Sequence, residues 1–359
     1  MIPRWLTNCL SNKRLSASAS WLVIITSMIF VVSCDNNSRK NDPITLNGIT
    51  MGTTYTVKIN EPRSKFDPLQ IKKSIDTLLD DLNAKMSTYL PDSELSRINR
   101  SHSTDWIDIS DDLYEVIKQA INIHNLSAGA FDITIGPLVN FWGFGPDKKP
   151  DSIPDDQQIQ ILLNAMGTNK IHLNDLPKAI KKDNTDIYID LSGVAKGYAV
   201  DRVASLLQHQ FAINNFMVEI GGEIRATGIN QDRQPWRIGI EKPVSHQRSV
   251  ERIINLDNTG MATSGDYRNY FEDNGMYYSH IIDPRTGKPV THHLVSVTVL
   301  HSESMIADAW ATALQVLGPE KGIALANKIN LSVFIISGTH HGYTEIMSVS
   351  FRQYIDQTK

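Results

Sequence analysis

Residues 304–317 restrict the fold of this chain most, because they are apolar almost throughout and contain one charged side chain, Asp308. A helix without a polar face is expected to be buried. A carboxylate there is costly unless a positive group meets it. Thr312 lies one helical turn along the same face, and a carboxylate beside a hydroxyl suits a hard cation such as Mg²⁺. From this helix alone, Asp308 could instead cap a loop or pair with an arginine.

The first 33 residues are predicted to be a secretory leader. Arg4, Lys13 and Arg14 precede an apolar run at positions 21–32 that is short for a membrane-spanning helix. The run ends in Val-Val-Ser-Cys, which resembles the bacterial lipobox, so Cys34 is predicted to carry lipid and become the mature N-terminus. The alternative is an ordinary signal peptide followed by an unrelated cysteine.

Cysteine content and charge restrict the mature chain further. Its two cysteines are Cys9, in the leader, and Cys34, so the mature domain is expected to contain no disulfide. Loss of the leader leaves 32 basic and 39 acidic residues, a formal charge of −7, with no basic run. This balance argues against a nucleic-acid partner. Residues 34–43 are predicted to be a lipidated, polar tether to a domain at 44–357.

Hydrophobic periodicity predicts a mixture of helices and strands. Together the elements predict a single large α+β domain, and a polar, proline-rich loop at 146–154 leaves open a division into two lobes. The predicted strands are 53–60, 187–190, several within 216–256, and a closing hairpin at 333–336 and 344–349. The predicted helices begin at Pro68, after the cap Ser110, and at positions 194, 304 and 320.

The segment 190–198 leads from a predicted strand into a helix through small residues. Such a junction directs free backbone N–H groups and the positive helix end outward, which suits a phosphate group, and Lys196 adds a positive charge. The spacing of a Walker loop and of a Rossmann glycine motif is absent. The alternative is an ordinary β–α turn.

Two further segments could carry chemistry. Residues 261–268 form a predicted hydroxyl-rich loop whose Arg268 could bind a phosphate or carboxylate, or form a surface salt bridge. In the strand end and turn at 280–287, His280 is best placed among the eleven histidines for proton transfer. Asp283 could orient His280 or shape the turn, and a structural role for His280 is the alternative. No zinc motif is present.

Aromatic side chains next to glycine, at 86–89, 131–132 and 141–145, could enclose a flat ring or form part of the core. Taken together, these segments resemble the ApbE family of FAD:protein FMN transferases. The matching strings occur in family order between about residues 47 and 318, and their ordered set is specific although each one is weak. They are 51–55, 86–89 with 92–94, 129–138, 142–145, 190–201, 219–222, 262–265, 280–287, and 307–308 with Thr312.

The resemblance implies an ApbE-type, T-fold-like domain that moves FMN from FAD to a threonine hydroxyl of a target protein, releasing AMP. It implies Mg²⁺ held by Asp308, Thr312 and the carbonyl of Gly193, with His280 as general base. It also implies contacts with FAD, the substrate, at a larger set of positions. These are Met51, Tyr89, Ala130, Phe131, Asp132, Asp190, Lys196 and Ile281.

Location and acceptor are also expectations from the resemblance. Asp35, directly after Cys34, resembles a signal for retention at the inner membrane, so a lipid-anchored enzyme on the periplasmic face is expected. The acceptors would be threonine-bearing flavoprotein subunits of sodium-pumping quinone reductase or Rnf-type complexes. Two alternatives remain open: a pyrophosphatase that hydrolyses FAD to FMN and AMP, and a non-catalytic flavin-binding lipoprotein.

Overall fold

A computed structural model describes residues 43–144, 154–241, 250–265, 270–273, 276–339 and 342–355. The predicted leader, Cys34 and the tether up to residue 42 lie outside the described residues, and so do Gly145 and Arg268 with the roles considered for them. Residues Asn41–Lys359 form one compact unit. Among the helices described, none has both the length and the hydropathy that crossing a bilayer requires.

Strands account for much of the unit, and most of them form antiparallel pairs between neighbours in sequence. They are β1 (Ile44–Thr50), β2 (Thr53–Ile59), β3 (Ile107–Asp108), β4 (Ile171–Asp175), β5 (Lys178–Lys182), β6 (Phe216–Ile220), β7 (Glu223–Thr227), β8 (Trp236–Glu241), β9 (Val250–Leu256), β10 (Thr259–Gly265), β11 (Tyr270–Asp273), β12 (Met276–Ser279), β13 (Ile282–Asp283), β14 (Lys288–Pro289), β15 (Leu294–His301), β16 (Ser332–Thr339) and β17 (Gly342–Met347).

Five of the described helices contribute to the large core on one face of the main sheet, and the two at 136–141 and 156–165 belong to a separate small core. In chain order the helices are α1 (Pro68–Met86), α2 (Glu94–Arg100), α3 (Asp111–Leu126), α4 (Gly136–Phe141), α5 (Asp156–Ala165), α6 (Ala195–Phe211) and α7 (Ser304–Lys328). The described residues also include three short 3₁₀ helices, at Arg63–Lys65, Thr168–Lys170 and Val349–Tyr354.

The main sheet has eight antiparallel strands in the order β1-β2-β6-β7-β10-β15-β16-β17. The mixture of this sheet with separate helices confirms the predicted α+β class. Smaller sheets are β3-β5-β4 and the pairs β8-β9, β11-β12 and β13-β14. The order of the strands in the main sheet differs from their order along the chain. Residues far apart in sequence therefore lie on neighbouring strands, as in the pairing of β2 with β6.

Successive side chains of a strand point to opposite faces of the sheet. Both faces of the main sheet are buried, each against its own core. In β15, Val297 and Val299 join the large core beneath the helices, whereas Leu300 joins a second core on the opposite face. In β16, Val333 and Phe334 divide in the same way. The second core is closed by the pair β8-β9 and the last 3₁₀ helix. Helices and hairpin therefore form separate layers on the two sides of one sheet.

Several sequence predictions are confirmed in detail. Strand β2 occupies the predicted strand at 53–60, and α1 begins at Pro68 behind its cap Asp67. Ser110 accepts a bond from the backbone of Leu113 and so caps α3. The strands within 216–256 are β6 to β9, and the predicted closing hairpin is the antiparallel pair β16-β17.

Helix α7 confirms the predicted buried helix and contains both segments expected at 304–317 and 320–328. Asp308 is 5% exposed, and Ala307, Ala309 and Leu314 are fully or almost fully buried. The two segments meet at a kink, where Gly318 has φ 80° and precedes Pro319. Since proline lacks a backbone N–H and glycine tolerates positive φ, this pair accounts for the kink.

The prediction of a strand at 187–190 is wrong. This segment pairs with a side chain rather than with a strand, because Asn99 receives a bond from Ile189 N and donates to Ile189 O, both at 2.8 Å. Asp190 N donates to Ile133 O at 2.7 Å. Lys182 supports the approach to the segment, since its buried Nζ donates to four backbone carbonyls.

The prediction of a loop over residues 261–268 is also wrong where the structure describes them. Residues 261–265 belong to β10, which pairs with β7 on one side and β15 on the other. Their small side chains suggest a loop from composition alone. The preceding residue of β10, Gly260, lets the start of α7 approach the sheet, since a Cβ on Gly260 would lie 2.7 Å from Ser304 N.

The first turn of α7 is capped by a side chain from another helix. Asp201 of α6 accepts bonds from the backbone N–H groups of Ser304 and Met305, both at 2.9 Å. Arg225 donates to the same carboxylate at 2.9 Å. A carboxylate at a helix N-terminus satisfies donors that lack a partner within the helix and interacts favourably with the helix dipole. Asp201 therefore fixes α6 and α7 relative to each other.

Replacing Asp201 by alanine is expected to lower the melting temperature by about 4–8 °C. Loss of the cap and of the Arg225 ion pair should together cost about 2 kcal/mol, and 1 kcal/mol corresponds to about 2–4 °C in a protein of this size. Thermal unfolding followed by circular dichroism measures the change. Asp201→Asn keeps one oxygen acceptor, so its melting temperature should lie between those of the wild-type protein and the alanine variant. An unchanged melting temperature for the alanine variant would contradict the capping role.

Candidate active site

A cavity of about 320 Å³ lies where α6, α7 and β10 meet the segments 130–135 and 280–284. Its walls contain most of the residues that the sequence analysis singled out, although these are spread over much of the chain. Those residues are Ala130, Phe131, Asp132, Asp190, Gly193, Lys196, His280, Ile281, Asp308 and Thr312.

Helices α6 and α7 pack so closely at Gly197 that no side chain fits between them. A Cβ on Gly197 would lie 2.4 Å from the backbone oxygen of Ser304 and 2.8 Å from Asp308 Cβ. This approach lets Gly197 N–H donate to Asp308 Oδ2 at 3.0 Å. Asp308 therefore lies inside the helix pair and does not cap a loop, and its cationic neighbour is Lys196, at 3.8 Å, rather than an arginine.

Thr312 and Gly193 lie side by side at the cavity wall. A Cβ on Gly193 would lie 3.2 Å from Thr312 Oγ1 and 3.3 Å from Phe131 Cε2. Thr312 is one turn beyond Asp308 on α7, as the sequence predicts, and all three residues line the cavity. A carboxylate, a hydroxyl and a backbone segment with its carbonyl thus share one wall.

The residues between the extended segment and α6 form the adjoining wall. Asp190 Oδ1 accepts from Ser192 N at 2.8 Å, which shapes the turn. Helix α6 begins at Ala195 without a side-chain cap. Lys196 follows in the first turn, and its Nζ lies 3.4 Å from Ser192 O. The junction brings a helix N-terminus and an ammonium group to the cavity, an arrangement that favours an anionic ligand.

Three charged side chains meet behind this wall. Lys196 Nζ lies 3.1 Å from Glu223 Oε1 and 3.8 Å from Asp308 Oδ2. Burial alone would lower the pKa of Lys196, but the two carboxylates outweigh it and hold that pKa above its usual range. Burial and then the charge of Asp308 raise the pKa of Glu223, whereas the charge and hydrogen bond of Lys196 lower it and favour the ionised pair. Burial also raises the pKa of Asp308, against the opposing effects of Lys196 and Gly197 N–H.

Asp132 holds two loops together beside the cavity. Its Oδ1 accepts from Thr134 N at 2.8 Å, from Thr134 Oγ1 at 2.6 Å and from Thr168 Oγ1 at 2.8 Å. Its Oδ2 accepts from Thr168 N at 3.1 Å and lies 3.5 Å from His124 Nδ1. A carboxylate with this many bonds is well ordered, so Asp132 shapes the wall that Ala130 and Phe131 complete.

The turn after His280 is organised by Asp283. Its carboxylate accepts from Arg285 at the backbone N, at Nε and at Nη2, over distances of 2.9, 2.8 and 2.7 Å. Its carbonyl accepts from Thr286 N and Gly287 N. Of the two roles considered for Asp283, these bonds support shaping of the turn. His280 itself lines the cavity.

Aromatic side chains support the wall from outside. Trp142 is 4% exposed within a small core and donates from Nε1 to Gly287 O at 2.8 Å. The ring of Phe144 meets that of His280 edge to face, with centroids 6.2 Å apart. Trp142 is thus a core residue that fixes the turn at 280–287. Phe131 is both a core residue and part of the cavity wall.

Met51 and Tyr89 do not line the cavity. Met51 forms the tip of the β1-β2 hairpin with φ 49°, a strained conformation for a bulky residue, and Tyr89 is 77% exposed. The same hairpin nevertheless reaches the part of the cavity wall that contains Lys196. A Cβ on Gly221 would lie 2.8 Å from Thr53 Cγ2 and 3.3 Å from Lys196 Cδ.

Glu223 belongs to none of the sequence patterns described above, yet it lines the cavity with its side chain only 6% exposed. It directly follows the matched string 219–222, but an acidic residue at the start of a strand carries no signal of burial by itself. Other cavity residues without an assigned role are mostly small or apolar. They are Ile133, Ile135, Val139, Ser192, Thr263, Ser264, Ile282, Pro284 and Val316.

The oxygen donors of the cavity fit one hard divalent cation. Asp308 contributes a buried carboxylate, Thr312 a hydroxyl, and Gly193 a backbone carbonyl in the same wall. Within the described part of the chain, no three His, Cys, Asp or Glu side chains cluster in a way that could hold a metal ion. Mg²⁺ is commonly bound by one or two carboxylates while water and substrate phosphates complete its shell.

Comparison with known proteins finds relatives that match almost the whole chain. Residues 51–335 match the model of the ApbE family. The chain is 45% identical over 338 residues to the FAD:protein FMN transferase of Vibrio cholerae serotype O1, covering 94% of this chain and 99% of the relative. It is 43% identical over 345 residues to the FAD:protein FMN transferase of Haemophilus influenzae, covering 95% and 98%.

A solved structure shows the same fold. The flavin transferase ApbE from Vibrio cholerae superposes with a TM-score of 0.81 at 44% identity, covering 88% of this chain and 99% of that one. The agreement extends over the described sheet and helices rather than over one motif. This chain belongs to the ApbE family.

Proposed function

We propose that this protein transfers FMN from FAD to a threonine hydroxyl of a target protein and releases AMP, with Mg²⁺ bound at Asp308, Thr312 and the Gly193 carbonyl. The observation that carries the proposal is the convergence of these three residues with Lys196 and His280 on one cavity of about 320 Å³. Family membership and relatives named FAD:protein FMN transferase support the same activity.

Each wall of the cavity has a distinct task in this reaction. When bound, the cation supplies neutralisation of negative charge on the pyrophosphate and on the leaving AMP. Lys196 and the first turn of α6 attract and orient the anionic substrate. Burial of Asp308 strengthens its attraction for a cation, because the surrounding protein screens charge less than water does.

His280 is assigned the proton transfer. An imidazole nitrogen of His280 removes the proton from the acceptor threonine, whose oxygen then bonds to the flavin-side phosphorus as the bond to the AMP phosphate oxygen breaks. The turn held by Asp283 and Trp142 keeps His280 at the cavity wall. The other predicted contacts with FAD are proposed to come from Ala130, Phe131, Asp132, Asp190 and Ile281 in the wall, and from Met51 and Tyr89 outside it.

The acceptor and the location belong to the same proposal. Lipid on Cys34 would anchor the enzyme at the inner membrane on its periplasmic face, where Asp35 favours retention. There it would meet threonine-bearing flavoprotein subunits of sodium-pumping quinone reductase or Rnf-type complexes. The tether at 34–43 gives the domain freedom to approach a membrane-bound acceptor.

Labelled palmitate should be incorporated into the wild-type protein in bacterial cells and should be lost in Cys34→Ser. The reason is that the lipobox places the acyl chains on the mature N-terminal cysteine. Cys9→Ser is the matched control and should retain the label, since Cys9 lies in the leader. Absence of label from the wild-type protein would show that the segment is an ordinary signal peptide.

One assay separates transferase from hydrolase. The soluble domain is incubated with FAD, Mg²⁺ and an acceptor domain bearing the threonine, and intact masses are recorded. A transferase increases the acceptor mass by that of FMN less one water, with one AMP released per adduct. Free FMN and AMP without an adduct would identify the pyrophosphatase instead, and unchanged FAD would identify a flavin-binding lipoprotein.

A further inference from the structure

Glu223 is a buried acidic residue in the cavity wall for which the reaction described above has no task. It begins β7, directly after the turn at Gly221, and is 4% exposed. Its Oε1 pairs with Lys196, whereas its Oε2 is buried and has no hydrogen-bond partner. A buried carboxylate is costly in free energy. Its retention in the wall therefore calls for a function.

The position of Lys196 depends on Glu223. The Lys196 ammonium lies 3.1 Å from Glu223 Oε1 but 3.8 Å from Asp308 Oδ2, so it is bonded to the first carboxylate and only near the second. The aliphatic part of Lys196 is confined as well, because a Cβ on Gly221 would lie 3.3 Å from Lys196 Cδ. The turn before β7 thus confines the aliphatic chain of the lysine, and the first side chain of β7 binds its ammonium group.

An ammonium group and a divalent cation compete for one carboxylate. If Lys196 bonded directly to Asp308, a metal ion would have to displace it before binding. Glu223 offers Lys196 a second carboxylate outside the three proposed metal ligands. Resting on the function proposed above, we infer that Glu223 is a positioning residue that draws Lys196 away from Asp308 and leaves the Asp308 carboxylate available to the metal.

The distance between the Lys196 ammonium and the Asp308 carboxylate should shorten when Glu223 loses its charge. In metal-free Glu223→Gln, which keeps the shape of the side chain but removes its charge, Lys196 Nζ should move to within about 3 Å of Asp308 Oδ2, the usual length of a charge-assisted bond. A crystal structure of the metal-free variant measures this distance. An unmoved Lys196 would overturn the inference, because Glu223 would then not determine where the ammonium lies.

Metal binding is the second measurement, and it requires no turnover. Calorimetric titration of the FAD-free protein with Mn²⁺ should show roughly tenfold weaker binding for Glu223→Gln, equivalent to about 1.4 kcal/mol. Lys196→Met should bind Mn²⁺ at least as tightly as the wild-type protein, since the competing ammonium is gone. Weaker binding by Lys196→Met would overturn the inference even if Glu223→Gln failed to fold.

Glu219→Gln is the matched control. Glu219 lies on the other side of the same turn, where its Oε1 accepts from Gly222 N at 2.8 Å, and it does not line the cavity. Glu219→Gln should bind Mn²⁺ like the wild-type protein. If Glu219→Gln and Glu223→Gln lost the same affinity for Mn²⁺, the role of Glu223 would be to stabilise the turn, and the inference would be wrong. A wild-type protein that does not bind Mn²⁺ would instead refute the proposed metal site, and the inference with it.

Discussion

Replacing Asp308 by alanine should reduce metal-dependent transfer of FMN about a thousandfold or more. Asp308 is the only charged side chain among the three proposed metal ligands, and it is 5% exposed at the cavity wall. Charge neutralisation by a bound metal is worth several kcal/mol in the transition state, and about 4 kcal/mol corresponds to a thousandfold change in rate. The rate of FMN incorporation into an acceptor domain, followed by intact mass, measures the effect.

Asp308→Asn separates loss of charge from loss of structure. The amide oxygen can still accept from Gly197 N–H, so the contact between α6 and α7 should persist while metal binding is lost. Both variants should therefore be inactive, and only the alanine variant should lose appreciable thermal stability. A variant at 308 that transfers FMN at the normal rate with the normal metal requirement would show that the ligand assignment is wrong.

Replacing His280 by glutamine should slow transfer by about 10²–10⁴-fold while leaving the affinity for FAD within about twofold. General base catalysis by a positioned side chain contributes an effect of this size, and glutamine cannot accept the proton at neutral pH. Single-turnover transfer measures the rate, and a titration followed by flavin fluorescence measures the dissociation constant for FAD. Equal losses of rate and affinity would indicate a structural role for His280.

His172→Gln is the control for His280. His172 lies on β4, where it pairs with Asp183 and is 47% exposed, and it does not line the cavity. Its variant should transfer FMN like the wild-type protein. A comparable loss of activity in this variant would mean that substitution of any histidine damages the domain, and the effect at position 280 would then carry no mechanistic information.

The chemistry of the site could be predicted from the sequence where a residue type is unusual in its surroundings. An isolated carboxylate in an apolar helix predicted both the burial of Asp308 and a cation beside it. The spacing of Asp308 and Thr312 predicted that they share a face, since helical geometry is local. The small residues at 190–198 predicted a helix N-terminus at the site, and α6 begins there.

Predictions failed where the outcome depended on a distant partner. The segment at 187–190 has the composition of a strand, but the backbone of Ile189 bonds to the side chain of Asn99 and Asp190 N bonds to Ile133 O. Residues 261–265 have the composition of a loop, but they lie between two strands of the main sheet. Neither partner lies close in sequence, so no local pattern could identify it.

The sequence by itself determined the α+β class, the buried helix at 304–317 and the residue types available for chemistry, because periodicity and burial follow from neighbouring residues. Only the tertiary structure decided that Asp201 caps α7, that Glu223 holds Lys196, and that Met51 and Tyr89 lie outside the cavity. The first two depend on the close packing of α6, α7 and the β6-β7 turn. Such contacts between elements remote in sequence form only when the whole sheet is assembled.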